Sequence, residues 1–570
     1  MKQPGFLTSI LTPIVKASKG KTEINFYTLN EYEDWQNDTR DSDKYKTKYF
    51  KGLGTSTSAE AKTYFKTMLT ANYEFGDQTN SRMNLAFDKK LADSRKEWMS
   101  KYDKNSTIDC RKQQVVTFEE FIDKDLIHYS VYALQRSIPN VLDGFKQSIR
   151  KIIYGCLKKK LYSEIKVAQL SGYISENCAY HHGENSLQEA IIGLAQDFVG
   201  SNNLNLLLPK GQFGSRLLGG RDSASPRYIF TELNPIVKLL LAEDDMKILT
   251  YLEDDGTSIE PEFFIPILPI LLINGSTGIA TGYSTSIPSF NVKDIIANLK
   301  RLLNDEKAVP MTPYFRGFTG TVDEDKTKGV YRRISPNKLE ITELPIGLWT
   351  SDYKNFLDAY IEKHPKILKD FESHYTETLV KFVLIFQSKS ILDEMLASND
   401  QGSVKFETDF KMITTKPVSK SNMHAFDSTG KIKRYESEVE ILEEFFQVRM
   451  VYYEKRKEHK LTQLQNEIDN IDSRMKFILC VIDGEVKILN EKYDSIEKQL
   501  VNLEFKKKDG SYDYLIKLPI HSLTLEKKEE LLNLYTEKDS QYKSLKKKTI
   551  QDMYLYDLKE FEKNMNINSI

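Results

Sequence analysis

Two short stretches hold side chains whose types and spacing could do chemistry. The first is Arg221-Asp222-Ser223-Ala224-Ser225-Pro226-Arg227-Tyr228-Ile229-Phe230-Thr231-Glu232-Leu233-Asn234, where a phenol stands beside a guanidinium. A free phenol has a pKa of about 10, so at neutral pH its phenolate is scarce unless nearby cations or a base favour it. Arg227 is such a cation for Tyr228, and it could also meet negative charge developing on an oxygen. Composition alone argues the other way: the chain has 31 tyrosines, and most of them must serve packing. The second stretch is Tyr180-His181-His182-Gly183-Glu184, read as the start of a helix running through Ala195. Paired histidines suggest a metal, but adjacent helical positions point about 100° apart. No further ligand cluster is near, so no metal is expected there.

Charge supplies the next clue. Lys and Arg total 81 against 82 Asp and Glu, a balance that argues against a polyanion binder when taken over the whole chain. Its distribution reverses that impression. Between Val131 and Ser175 stand Arg136, Lys146, Arg150, Lys151, Lys158, Lys159, Lys160 and Lys166, opposed only by Asp143 and Glu164. A basic face on an otherwise balanced protein suits phosphate binding.

These groups need elements to hold them. Phe6–Leu11 and Glu23–Tyr27 read as short strands, and Tyr49–Ser56 as a glycine-bearing turn leading into a helix over about 58–68. Thr117-Phe118-Glu119-Glu120 has the form of a capping box, which opens a helical region. That region breaks at Pro139 and Gly144, then resumes as a basic helix through Lys160. Ile265-Pro266-Ile267-Leu268-Pro269-Ile270-Leu271-Leu272-Ile273 is a buried apolar run, and Gly275, Gly278 and Gly282 make the segment after it an exposed, tightly turned loop. Val330–Ile334 and Lys338–Leu344 flank Ser335-Pro336-Asn337 as a hairpin, and Val380–Phe386 is a further strand. From Glu438 the chain becomes one long helix. Leu461, Leu464, Ile468, Ile471, Met475 and Ile478 recur at three and four, a coiled-coil seam, with a return helix beginning near Leu525.

A chain of 570 residues has room for about four domains, each with its own core. With 40% hydrophobic and 11% aromatic residues, disorder is excluded as the general state. Cys110, Cys156, Cys178 and Cys480 show no metal-ligand spacing, which points to a reduced intracellular compartment. No apolar stretch approaches the length of a membrane span, and no signal-peptide pattern is present, so no membrane partner is expected.

Arg221–Asn234 resembles the nucleophile segment of eukaryotic-type type IIA DNA topoisomerases, and the resemblance covers nearly all of the chain with its parts in order. Pro4-Gly5-Phe6-Leu7, Thr12-Pro13-Ile14-Val15-Lys16 and Lys51-Gly52-Leu53-Gly54-Thr55 resemble the back half of that family's metal-binding TOPRIM domain. Arg136–Lys160 resembles its winged-helix domain, and Ser276-Thr277-Gly278-Ile279-Ala280-Thr281-Gly282 its DNA-wedging loop. The resemblance implies an α+β multidomain protein. Residues 1-115 would be the C-terminal part of the TOPRIM domain and 116-288 the winged-helix DNA-binding and cleavage domain. Residues 289-437 would be an α/β tower, and 438-570 a long antiparallel coiled-coil arm with a dimer gate.

The same resemblance implies roles. Tyr228 would be the nucleophile that attacks a DNA phosphodiester, with Arg227, His182 and Arg136 completing the catalytic set. Lys146, Arg150, Lys166 and Lys51 would meet DNA, and Ile279 would wedge between base pairs. In relatives, the glutamate and Asp-x-Asp acids that hold Mg²⁺ lie upstream of the Pro-Gly-Phe segment, and only three residues precede Pro4 here. Asp41-Ser42-Asp43, Asp123-Lys124-Asp125 and Asp323-Glu324-Asp325 are expected to be loop or helix-end acids, so no metal site is assigned.

The expected function is the cleavage and religation core of a type IIA topoisomerase. It would make a transient double-strand break through a 5'-phosphotyrosyl bond so that a second duplex can pass. Mg²⁺ ligands would lie upstream of this chain, ATP would act through another domain or an ATPase-bearing subunit, and the partners would be double-stranded DNA and a second copy of the chain. The nucleus, or another DNA compartment, is the expected location. The alternative is a DNA-binding dimeric scaffold, inactive in cleavage until a partner supplies the acids and the ATPase.

Overall fold

The computed structural model describes residues 3, 5–50, 56–109, 115–254, 256–323, 325–398, 404–488, 490–508, 510–519 and 524–568. The glycine-bearing turn expected at 49–56, and Lys51 with it, lies mostly outside these.

The chain up to Thr117 builds two small sheets. Val15–Lys19 is the centre of one, pairing antiparallel with Thr22–Phe26 and with Lys46–Tyr49. Its inward side chains, Val15 and Ala17, pack with Phe26 and Tyr32. In the other, Leu7–Ile10 runs antiparallel to Thr70–Glu74, which in turn runs parallel to Val115–Thr117. The helix Ser58–Thr67 starts on a capping box of Thr57 and Glu60. Glu60 also takes Lys48 at 2.8 Å and Lys16 at 3.4 Å, and hydrogen bonds from Lys48 and Thr57 hold its carboxyl down at about 2.

The capping box at Thr117 and Glu120 forms as expected. Helices Ile127–Ser137, Gln147–Lys159, Val167–Asn177 and Glu184–Ala195 follow, around a sheet in which Phe230–Leu233 lies between Ile165–Lys166 and Leu207–Lys210. Their apolar faces join the run Phe264–Ile273 in the largest core of the molecule, where Ile265, Leu268, Leu272 and Ile273 are fully buried. One segment departs from the sequence reading. The helix begins at Glu184, not at Tyr180, because Gly183 occupies the N-cap in a non-helical conformation and Ala179 turns left-handed (φ 49°) just before the histidines. His181 and His182 therefore sit in a bend.

A second core lies under a four-stranded antiparallel sheet in the order Val330–Ser335, Lys338–Glu343, Phe382–Phe386, Leu368–Ser373. Tyr353 and Leu357 of the helix Thr350–Lys363 pack on it, together with Phe406 and Phe410. The two bodies are joined through buried Arg216, which pairs with Glu343 and donates to the Leu344 carbonyl at 2.9 Å.

Glu438–Ile482 is a single helix of 45 residues. Leu525–Lys547 packs along it in the opposite direction: Lys538 meets Glu467 at 2.7 Å, Leu531 packs with Ile471 and Ile478, and Lys457 reaches the Lys548 carbonyl at 2.5 Å. Phe477, Leu500, Phe505, Tyr512 and Leu515 form a separate small core near the far end of this two-helix rod. The near end is rooted in the main core, since Phe445 and Tyr453 of the long helix and Tyr554 and Phe561 of Ile550–Asn568 belong to it. An ionic knot lies at that root. Fully buried Asp245 pairs with Arg449 at 2.9 Å and with Arg456, and Arg456 also reaches Asp557 at 2.6 Å. Among the described residues no helix is long and apolar enough to cross a membrane.

Candidate functional site

The Arg227–Tyr228 pair is held by its neighbours on both sides. A helix leaves its first backbone N–H groups without intrahelical partners. At the start of Val167–Asn177, Ala168 gives its N–H to the Pro226 carbonyl at 3.1 Å and Val167 gives its own to the Ile229 carbonyl at 3.1 Å. Arg227 and Tyr228 lie between those two anchor points. The Tyr228 N–H closes the turn on Ser225 O at 2.9 Å, and the strand Phe230–Leu233 begins immediately after. The Tyr228 side chain is 76% exposed. Upstream, Ser215 is held by Asp222, and Gly219 (φ 63°) passes so close to Trp349 that a Cβ there would lie 2.2 Å from the indole. Only glycine fits that crossing.

Lys166 pairs across the sheet with Phe230, two residues beyond Tyr228, and its ammonium lies 5.8 Å from the Phe230 ring centroid. It therefore flanks the loop that carries the tyrosine.

The histidines help to line a separate cavity of about 270 Å³, with Tyr132, Arg136, Lys151, Tyr180 and Glu260 among its walls. His182 Nε2 is bonded to the Tyr132 hydroxyl, and the Tyr180 ring packs edge-on against the imidazole, centroids 5.4 Å apart. Arg136, one helical turn beyond Tyr132, sets its guanidinium 6.0 Å from that ring's centroid. Burial, reinforced by Arg136, His181 and Lys151, lowers the pKa of His182 below the ordinary histidine value. His181 bonds Asp254 at 2.7 Å, which ties it to the hairpin strand Tyr251–Asp254. His182 and Arg136 are thus brought together. Among the described residues no hydrogen bond or ring contact joins Tyr228 to them.

Ile279 ends the first strand of a hairpin, Ser276–Ile279 against Ser284–Ile287, closed by Ala280 N–H on the Tyr283 carbonyl at 2.9 Å. It is 86% exposed. Gly278 lets the strand lie against the body, because a Cβ there would come within 2.1 Å of the Ser137 carbonyl. Lys146, at the N-cap of Gln147–Lys159, donates to Thr277 O at 2.7 Å, so it braces this hairpin, and burial lowers its pKa. Arg150 points inward. Its guanidinium makes a bidentate pair with fully buried Asp143, at 2.7 and 3.1 Å, and also reaches the Phe145 carbonyl. The direct work of Arg150 is therefore to fix the turn that precedes the basic helix.

Among the described residues no group of three or more His, Cys, Asp or Glu is placed to hold a metal ion. Asp123 is occupied by the Trp98 indole N–H at 3.0 Å and by Arg82 at 3.1 Å, and Asp41 by Lys44 at 2.9 Å. Tyr132 and Glu260 escaped the sequence reading, and Lys151 entered it only as part of the basic face. The one available signal was the four-residue spacing from Tyr132 to Arg136, which sets both on one helix face.

Residues 136–560 match the DNA gyrase/topoisomerase IV family in its A-type subunit, and residues 10–134 match the C-terminal associated domain of TOPRIM. These matches give the class. Individual proteins narrow it: DNA topoisomerase 2 of Arabidopsis thaliana is 40% identical over 99% of this chain and 41% of its own length. The mitochondrial DNA topoisomerase 2 of Dictyostelium discoideum is 40% identical over 98% of this chain and 44% of its own. A crystal structure of the Plasmodium falciparum topoisomerase II DNA-binding, cleavage and re-ligation domain superposes with a TM-score of 0.84 at 39% identity, covering 99% of this chain and 80% of that one. The chain belongs to the type II DNA topoisomerase family. It spans about two fifths of the length of the curated relatives it matches.

Proposed function

We propose that this chain is the DNA cleavage and religation core of a type IIA topoisomerase. The observation that carries the reading is the exposed Tyr228 on a loop anchored at Pro226 and Ile229, in a chain matching a cleavage and re-ligation domain over 99% of its length. The Tyr228 oxygen loses its proton and attacks a backbone phosphorus. A 5'-phosphotyrosyl ester forms, and the 3'-oxygen leaves and takes up a proton. The ester keeps the energy of the bond it replaces, so the reverse attack reseals the strand without a cofactor. Arg227 meets charge building on the phosphate oxygens, and His182 with Arg136 forms a second polar group for the phosphate region. Lys166 flanks the DNA beside the tyrosine.

The working form is a homodimer, with one Tyr228 for each strand of a duplex. The body around 116-288 acts as the winged-helix cleavage domain, 289-437 as a tower, and the two-helix rod as a coiled-coil arm ending in a gate. The described residues do not fit Mg²⁺, so no step is routed through a metal. Mg²⁺ and ATP are assigned to other parts of the assembly or to a partner, and the place of action is an intracellular DNA compartment such as the nucleus.

The test is a denaturant-trapped cleavage assay on supercoiled plasmid with Mg²⁺, using the chain alone and the chain supplemented with a fragment that carries the metal-binding acids. DNA linked to protein through Tyr228 in the supplemented reaction supports the proposal. No adduct in either reaction, with duplex binding intact, would leave a DNA-binding scaffold in its place.

Ile279 gives an independent check. An apolar wedge spends a few kcal/mol on unstacking and recovers it through the bent duplex. Ile279→Ala should lower the bend reported by end-to-end energy transfer on a labelled duplex, while affinity set by phosphate contacts changes by less than about threefold. An unchanged bend would remove Ile279 from this role.

A further inference from the structure

We propose that Tyr132 is a positioning residue for His182: its hydroxyl donates to Nε2, holds the imidazole neutral, and leaves the Nδ1–H as the donor offered to a phosphate oxygen. The proposal rests on the reading of His182 as a group that meets the scissile phosphate region.

The geometry is specific. Among the described residues the one hydrogen bond to the imidazole is from the Tyr132 hydroxyl to Nε2, and Nδ1 has no partner. Two aromatic contacts set the ring's attitude, Tyr180 edge-on at 5.4 Å and Tyr132 tilted by 36° at 5.8 Å. Tyr132 is in turn steadied by Arg136, whose guanidinium lies 6.0 Å from its ring centroid. A neutral imidazole has one donor and one acceptor nitrogen, and the bond made at one nitrogen decides which form the other takes.

The surroundings assign the direction of that bond. Burial is the main cause that raises the pKa of the Tyr132 phenol and the main cause that lowers that of His182, so the hydroxyl keeps its proton and the ring accepts. The other charged groups facing the cavity are Arg136 on the helix of Tyr132, Lys151 on the basic helix, and Glu253, Asp254 and Glu260 on the adjoining hairpin. Several of these are already engaged: Lys151 with Glu260 at 2.8 Å, and His181 with Asp254 at 2.7 Å. Arg136 remains as the cation facing the His182 and Tyr132 pair, and a neutral imidazole beside it avoids two adjacent positive charges. The histidine then contributes a fixed N–H donor, preorganised for charge developing on a phosphate oxygen, with no proton transfer needed.

The experiment reads the ring directly. Protein labelled with ¹⁵N in its histidine rings would be titrated by NMR, with His182→Gln assigning the signal. The expected result is a protonated Nδ1 and a bare Nε2 at neutral pH. Tyr132→Phe keeps the aromatic ring but removes the donor, so the signal should move toward the Nε2–H form and titrate at higher pH. An unchanged tautomer and midpoint would overturn the proposal. In the supplemented cleavage reaction, Tyr132→Phe should slow adduct formation by about tenfold, one hydrogen bond's worth, and move the acid limb of the pH profile upward. A changed tautomer with an unchanged rate and profile would also overturn it. If the unsubstituted protein forms no adduct, the cleavage reading itself has failed, and the NMR result still decides whether Tyr132 sets the state of His182.

Discussion

In the supplemented cleavage reaction Tyr228→Phe should abolish covalent attachment to DNA, an expected loss on the order of 10³-fold or more in trapped adduct, and should leave duplex affinity within about twofold. The separation between the two readouts follows from the local structure. The anchors of the loop are backbone bonds from Val167 and Ala168 to Ile229 and Pro226, and the turn is closed by the Tyr228 N–H on Ser225. None of these uses the phenol. Among the described residues the Tyr228 hydroxyl has no hydrogen-bond partner, and the ring is largely exposed. Removing one oxygen should therefore take away the proposed nucleophile and nothing the fold depends on. A denaturing gel would measure the adduct and fluorescence anisotropy the binding. Adduct persisting in the variant would move the nucleophile elsewhere, and loss of binding would make Tyr228 a structural residue.

Asp245→Ala should have the largest effect on stability, about 3–5 kcal/mol, because it strands the fully buried Arg449 guanidinium and removes one of the two carboxylates that Arg456 meets. Asp245 and Arg449 are both fully buried, and Arg456 is 5% exposed. Asp557 still serves Arg456 in the variant, and Tyr453 faces both arginines, with its ring centroid 4.0 Å from Arg449 and 4.6 Å from Arg456. Arg449 keeps no carboxylate among the described residues. The loss should appear as a lower midpoint in urea, followed by a probe in the main core. The replaced charge lies where the rod enters the body, so the far end of the rod should stay folded until that transition. An unchanged midpoint would show that the knot is energetically neutral.

The parts of this molecule written in local pattern were legible in the sequence. The capping box at Thr117, the break between Ile138 and Gln147, the hairpin around Ser335–Asn337 and the long helix from Glu438 all follow from short-range signals, and all are present. Direction was harder to read. Eight basic residues between Val131 and Ser175 suggested one phosphate-facing surface, yet Arg150 turns in to Asp143 and Lys151 to Glu260. Charge counting says what a segment carries, not which way it points. The histidine pair was misplaced on a helix because nothing local announces the left-handed Ala179 or a hydrogen bond to Tyr132, fifty residues away in sequence. The first sheets suffered similarly: Val15–Lys19 is a central strand whose partners are set by long-range pairing, and Val115–Thr117 lines up with Thr70–Glu74 across a gap no periodicity reveals.

The anchoring of the tyrosine loop bears on the fate of the cut ends. A severed DNA end bonded to Tyr228 would be tethered to a backbone segment tied at both Pro226 and Ile229, so it could not drift far from the strand it left. A free end kept nearby would then find its phosphorus within a narrow range of positions, which favours resealing over escape. The two amides at the head of Val167–Asn177 would then act as a safeguard of genome continuity: by limiting where the broken end can wander, they would keep a dangerous intermediate short-lived.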